Sequence, residues 1–95
     1  MNLQRLNKIA DDLGIRILDT ECGECRGLAT RAPSGRFYIG IDPSIVSEEE
    51  RAPLLAHEIA HCLTLTFYNY KTATKKEIDE AEEIANRIAS VLMDL

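Results

Sequence analysis

HEIAH, residues 57–61, is the stretch that decides how this 95-residue chain folds and what it binds. Residues four apart on a helix lie one turn above each other, so His57 and His61 can bind one metal ion, with Glu58 beside it as a proton acceptor. A catalytic zinc ion takes three protein ligands and leaves a fourth position for water. The motif therefore predicts a helix here and requires a third ligand from elsewhere in the chain.

The helix that carries the motif is predicted to start at Ser47. Ser47 and Glu50 have the spacing of a capping box, and the helix is expected to end near Thr64 or Thr66. Pro53 lacks the amide hydrogen that a helix interior needs. We therefore expect a kink there, or a short turn followed by a helix that begins near Pro53.

Upstream of the motif, the pattern indicates one helix and three strands. Apolar residues recur at helical spacing over residues 2–13, and Gly14 is placed to end that helix. The three strands are expected at residues 15–20, 27–32 and 36–42, with the last two forming a hairpin. Alternate residues of the third strand are predicted to face the core, namely Phe37, Ile39 and Ile41. The predicted fold class is α+β, a single domain over residues 1–95 with a three-stranded antiparallel sheet.

The third metal ligand is expected on a carboxyl-terminal helix. Thr74 and Glu77 form a second capping box, and the helix that follows has one apolar face, made of Ile78, Ala81, Ala85, Ile88, Ala89 and Leu92. Because the chain has only two histidines, the third ligand must be a carboxylate or a thiol. Glu82 lies at the edge of the apolar face, where a carboxylate is costly without a partner, and it is the predicted ligand. The alternatives are that Glu82 reaches solvent or pairs with Arg87 or Lys76.

Further residues are assigned supporting roles at this site. Asn86 follows Glu82 by one helical turn and is predicted to orient one of the two imidazoles, although a plain surface asparagine explains it equally well. An oxyanion formed during peptide hydrolysis needs a donor besides the metal. Tyr68 or Tyr70 could supply it, and Tyr68 is preferred. The strand at residues 36–41 is expected to align an extended substrate, provided that it lies at the sheet edge.

The carboxyl-terminal half of the chain resembles the ImmA/IrrE family of zinc metallopeptidases, particularly its compact phage and mobile-element members. The resemblance rests on three stretches: LAHEIAHC (residues 55–62), FYN (67–69) and EEIANRIASVLM (82–93). It implies a minimal zincin-like fold of the gluzincin type, with Zn²⁺ on His57, His61 and Glu82. It also implies Glu58 as the general base and a transcriptional repressor, of the helix-turn-helix kind, as the protein substrate.

Composition and charge restrict the partners and the location. A net charge of −5 disfavours direct binding to nucleic acid or to an anionic membrane and is compatible with a basic partner. The apolar runs are too short to cross a bilayer. Residues 1–14 lack the pattern of a secretory signal, so a cytoplasmic location is expected.

The three cysteines favour a reducing compartment, since an odd number leaves at least one thiol unpaired. Cys22 and Cys25 form a single CxxC. A reduced turn explains this pair better than a redox motif or a structural zinc site, which would need four ligands. Cys62 is predicted to be a buried apolar residue.

Three hypotheses about function follow from these patterns. The first is a zinc-dependent peptidase. The second, favoured by the shortness of the chain, is a zincin-fold regulatory module that binds a partner protein but cleaves weakly or not at all. The third is an α+β domain whose histidines are ordinary core residues. The oligomeric state is not encoded in any of these patterns.

Overall fold

The secondary structure follows the predicted order of one helix, three strands and two helices. The computed structural model describes residues 3–23, 25–69 and 71–95. The elements in these ranges are α1 (Leu3–Asp12), β1 (Arg16–Asp19), β2 (Gly27–Arg31), β3 (Phe37–Ile41), α2 (Glu48–Thr64) and α3 (Lys75–Asp94). The α+β class is therefore confirmed, and each predicted element is found within a few residues of its expected bounds.

The sheet is mixed, so the prediction of an antiparallel sheet is wrong in one of its two pairings. Strands β2 and β3 form the expected antiparallel hairpin. The strand order is β1-β3-β2, however, and β1 pairs with β3 in parallel. The physical reason lies in burial: Ile39 and Ile41 of β3 are fully buried, so β3 takes the centre of the sheet and leaves the more exposed β1 and β2 at its edges.

The core forms between the sheet and the helices. The largest fully buried side chains come from three elements, namely Leu6 of α1, Ile39 and Ile41 of β3, and Leu55 and Ile59 of α2. Full burial of such a side chain stabilises the fold by about 1.5–3 kcal/mol. The alternation predicted for β3 is confirmed at its two isoleucines, while Phe37 is half-buried. Helix α2 is thus fixed on the sheet by the same turns that carry HEIAH.

Helix α2 runs without interruption through Pro53. The alternative of a helix that begins near Pro53 is therefore wrong. Ser47 caps the helix by accepting a hydrogen bond from the Glu50 amide at 3.3 Å, whereas the Glu50 side chain pairs with Arg26 at 2.8 Å instead of closing the box. The carbonyl that Pro53 leaves without a donor belongs to Glu49, an exposed residue to which water has access.

Helix α3 packs on α2 through small residues. Its buried positions are Ala81, Ala85, Ala89 and Leu92, which confirms most of the predicted apolar face. The capping box of Thr74 and Glu77 is complete, with both reciprocal hydrogen bonds at 3.1 Å. Alanine at the contact lets two helices approach closely, so side chains at its edge come within reach of the facing helix. Across the described residues, no helix combines the length and the apolar character that a membrane span requires.

Candidate metal centre

Three potential metal ligands converge where α2 faces α3. The Nε2 atoms of His57 and His61 lie 3.1 Å apart. Oxygen Oε2 of Glu82 lies 2.7 Å from the first nitrogen and 3.3 Å from the second. Among the described residues, these three form the group of histidine, cysteine and acidic side chains that is arranged to hold a metal ion. The structure thus brings together the three residues that the sequence selects as ligands.

The spacing of these atoms fits a tetrahedral zinc ion. Ligand atoms about 2.0–2.2 Å from such an ion lie roughly 3.3 Å from one another. The observed triangle, with edges of 2.7, 3.1 and 3.3 Å, is slightly smaller than that. Two nitrogens and a carboxylate oxygen are also the donor set that zinc accepts in catalytic sites. The residues present therefore fit the ion that the motif implies.

The hydrogen bonds of His61 place the lone pair of its Nε2 atom toward His57 and Glu82. Its Nδ1 atom lies 3.0 Å from the carbonyl oxygen of Thr66. A carbonyl only accepts, so Nδ1 carries the hydrogen and Nε2 of the neutral ring carries the lone pair. Burial lowers the pKa of His61, more than the charge of Glu82 raises it, which favours that neutral ring. Two acceptors, Nε2 of His61 and Oε2 of Glu82, therefore face each other, an arrangement that a cation stabilises.

Glu82 is held by a tyrosine as well as by the imidazoles. The Tyr68 hydroxyl donates a hydrogen bond to Oε1 of Glu82, which leaves Oε2 facing the histidines. Burial raises the pKa of Glu82, but the hydrogen bond from Tyr68 and the interactions with the neighbouring imidazoles outweigh it and hold the pKa below its usual range. The carboxylate is therefore ionised at neutral pH.

The sequence alternatives for Glu82 do not hold. Arg87 pairs with Glu83 at 2.6 Å, and among the described residues neither Arg87 nor Lys76 forms an ion pair with Glu82. The side chain of Glu82 is 34% exposed and is engaged by Tyr68 and both imidazoles, so it does not simply reach into solvent.

Tyr68 has a different contact from the one expected of it. The sequence assigns it to an oxyanion, whereas the structure places its hydroxyl on Glu82, a candidate metal ligand. Burial, together with the bond to Glu82, raises the pKa of Tyr68 well above its ordinary value, so the hydroxyl remains a donor. The alternative donor, Tyr70, lies outside the described residues.

Glu58 lies next to the metal ligands and is nearly shielded from solvent. The residue is 5% exposed, and burial raises the pKa of its carboxyl to about 7. The backbone of Gly27 passes close to it, since a β-carbon at that glycine would lie 3.3 Å from Oε2 of Glu58. A carboxyl with a pKa near neutrality suits a group that both accepts and donates a proton.

A cleft opens beside Glu58 along the edge strand β2. The cavity has a volume of about 270 Å³, and its lining includes Glu58, His61, Tyr68 and Glu82. Gly27, Leu28 and Ala29 of β2 form its opposite wall. The edge strand beside the cleft is therefore β2, and the condition on which residues 36–41 would align a substrate is not met because β3 is central.

Asn86 is exposed and lines a shallow depression with His57 and Pro53. Within the described residues, its side chain makes no hydrogen bond to either imidazole. The Nδ1 atom of His61 is taken by Thr66, so an orienting role for Asn86 at His61 is excluded by this geometry. Such a role at His57 stays a prediction.

The cysteines occupy two different environments. Cys22 and Cys25 are free thiols joined by a turn in which the Cys25 amide donates to the Cys22 carbonyl at 3.2 Å, and both line the cleft. The free thiols are compatible with the predicted reduced turn, which stays a prediction, and their position at the cleft was not foreseen. Cys62 is 3% exposed, which confirms the prediction of a buried residue.

The contact between Thr66 and His61 was not predicted from the sequence. Thr66 lies five residues after His61, beyond the end of α2, and a threonine after a helix carries no signal of its own. The one available signal is its hydroxyl, placed within a single turn of a predicted ligand.

Comparison with known proteins yields no relative: neither a family model nor a curated protein nor a solved structure matches the chain. The functional assignment therefore rests on the side chains themselves.

Proposed function

We propose that this chain is a zinc-dependent peptidase that hydrolyses a peptide bond in a protein substrate. The observation that carries the proposal is the convergence of His57, His61 and Glu82 within 2.7–3.3 Å, with the buried Glu58 beside them. Nε2 of His61 and Oε2 of Glu82, acceptor atoms from two helices, lie 3.3 Å apart, an arrangement that a cation would stabilise. The third hypothesis, of histidines with a purely structural role, is therefore disfavoured.

The residues of the proposed site have three roles: some hold the metal ion, one transfers a proton, and one orients a ligand. His57, His61 and Glu82 hold the ion. Zinc, when bound, lowers the pKa of water toward neutrality and polarises the carbonyl of the substrate. Glu58 accepts the proton of the attacking water and passes it to the leaving nitrogen, a transfer that its protection from bulk solvent assists. Tyr68 orients Glu82, and it is also placed at the cleft where an oxyanion would form.

The cleft favours a substrate in an extended conformation. Strand β2 forms one wall of the cavity and is an edge strand, so one side of its backbone is available to a peptide. A segment added beside β2 would pass Glu58 and the three ligands. The resemblance over residues 55–62 and 82–93 extends the proposal to a cytoplasmic helix-turn-helix repressor as the substrate, with no direct contact to nucleic acid or membrane.

Metal content and a single substitution test the proposal. Protein purified without chelator is expected to contain one zinc per chain, and Glu58→Gln is expected to keep that zinc and to lose hydrolysis of a candidate repressor. Glu49→Gln, an exposed residue on the same helix, is the matched control and should change neither. Absence of tightly bound zinc would contradict the proposal.

The regulatory module is the second candidate, and the same variants separate it from the peptidase. A module of that kind would bind the partner with zinc present and leave it intact, and Glu58→Gln would not alter that binding. Cleavage by the unaltered chain, lost in Glu58→Gln, would exclude the module.

A further inference from the structure

We propose that Thr64 and Thr66 are positioning residues that hold the proton of His61 on Nδ1, so that Nε2 presents its lone pair to the metal. The inference rests on the proposed metal centre and specifies how the chain keeps that centre ready to bind. It assigns a role to two threonines that lie beyond the motif and contact no other ligand.

The end of α2 carries these threonines back toward His61. The helix ends at Thr64, and Leu65 adopts a left-handed conformation with φ of 54°. The amides of Leu65 and Thr66 both donate to the carbonyl of His61, the latter at 3.2 Å. Phe67 then anchors the segment by stacking on Phe37, with ring centroids 5.9 Å apart. Thr66 is thereby fixed beside the imidazole.

The hydroxyl hydrogens of Thr64 and Thr66 can each be assigned to one acceptor. Thr64 donates its hydroxyl hydrogen to the carbonyl oxygen of Ala60 at 2.8 Å. Thr64 Oγ1 also lies 2.8 Å from Thr66 Oγ1, and because its own hydrogen is already used, it accepts there. Thr66 therefore donates to Thr64. Its oxygen, 2.9 Å from Nδ1 of His61, is left to accept.

His61 completes this chain of hydrogen bonds as its first donor. The Nδ1 hydrogen is shared between the hydroxyl and the carbonyl oxygen of Thr66, at 2.9 and 3.0 Å. The Nε2 atom of the neutral ring then has no hydrogen. Its lone pair lies toward His57 and Glu82, where the ion would bind.

Thr64 has the larger influence on the tautomer, even though Thr66 makes the contact. Without the Thr64 oxygen, the Thr66 hydroxyl is free to rotate and to donate to Nδ1. That rotation would stabilise the Nε2–H tautomer against the opposing preference of the Thr66 carbonyl, and in that tautomer Nε2–H would donate to Glu82 across the present 3.3 Å and occupy the metal direction. Removing the Thr66 hydroxyl instead removes the competing donor and leaves the Thr66 carbonyl in place. If the threonines only stabilised the fold, substitution of Thr66, which contacts His61 directly, would have the larger effect.

The test uses ¹⁵N-histidine NMR of the metal-free chain at about pH 8, with His57→Gln to assign the two rings. Thr64→Val is expected to raise the Nε2–H tautomer of His61 and to lower zinc affinity by about 10–100-fold, measured by competition with a chelator. Thr66→Val is expected to keep the Nδ1–H tautomer and to lose less affinity. Thr64→Ser should restore both properties, and Thr30→Val, on an exposed strand position, is the control.

Two results would overturn the inference. One is an unchanged Nδ1–H tautomer in Thr64→Val, and the other is a Thr64→Ser variant that behaves like the valine. The tautomer is read without metal, so failure of the chain to bind zinc would refute the proposed peptidase and leave this measurement intact. Should Thr64→Val not fold, Thr64→Ala removes the same hydroxyl, and an unchanged Nδ1–H tautomer in that variant would overturn the inference equally.

Discussion

Replacing Tyr68 by phenylalanine separates two roles that this residue could have at the site. In the structure, its hydroxyl donates to Oε1 of Glu82 and so fixes which carboxylate oxygen faces the imidazoles. Tyr68→Phe removes that bond and leaves the ring in place. If the tyrosine orients the ligand, the variant should bind zinc more weakly. If it acts only on an oxyanion, zinc binding should be unchanged.

The size of the effect follows from the kind of bond that is lost. A hydrogen bond to a charged group contributes about 1.5–3 kcal/mol, and the lower value is appropriate here because Glu82 is partly exposed. About 1.5 kcal/mol corresponds to roughly tenfold in the dissociation constant. Loss of an oxyanion donor alone would instead reduce kcat by about 10²–10³ with unchanged zinc affinity.

The assay is competition for zinc against a chelator of known affinity, followed by cleavage measurements at saturating metal. Tyr38→Phe is the matched control, since Tyr38 lies on β3 away from the metal ligands and should behave like the unaltered chain. A dissociation constant within about twofold of the unaltered value in Tyr68→Phe would refute an orienting role.

Three further predictions concern the fold. Leu65→Gly should raise the free energy of unfolding by about 0.5–1 kcal/mol, because Leu65 is left-handed and 57% exposed; a fall on chemical denaturation would contradict this. Hydrogen bonds from the Thr74 amide and hydroxyl lower the pKa of Glu77 below its ordinary 4.5. The ionised Glu77 therefore stabilises the fold above pH 4.5, and this stabilisation is lost as the pH falls through the pKa of Glu77 in the folded state. Glu77→Gln should accordingly make the free energy of unfolding depend less on pH in that range. Exposed Cys25 should react with a thiol reagent in the native state and buried Cys62 only on unfolding, as peptide mass mapping would reveal.

The parts of the site that lie on helices could be predicted from the sequence, because helical periodicity fixes where each side chain lies. The spacing in HEIAH places two imidazoles together, and the position of Glu82 at the edge of an apolar face places it opposite them. The strand order could not be predicted in the same way. Alternation along β3 shows which face is buried but not which strand is its neighbour, so the parallel pairing of β1 was missed.

The contacts of the loop after α2 also could not be predicted from the sequence. Thr66 reaches His61 only because Leu65 adopts a left-handed conformation, which a leucine does not signal. Likewise, Cys22 and Cys25 lie at the cleft because β2 is an edge strand, and that placement depends on the strand order. In both cases the missing information is non-local.

The alanines of α3 connect the fold to the chemistry. Ala81 and Ala85 are buried against α2, on either side of Glu82 along the helix. The distance between the two helix axes depends on the side chains at their contact, and alanine permits a close approach. The Glu82 side chain is short relative to that distance, so its carboxylate comes within 2.7 Å of His57 only where the backbones are close. The same small residues that bury little apolar area in the core thus set the geometry of the proposed metal centre, and the site depends on their size more than on their hydrophobicity.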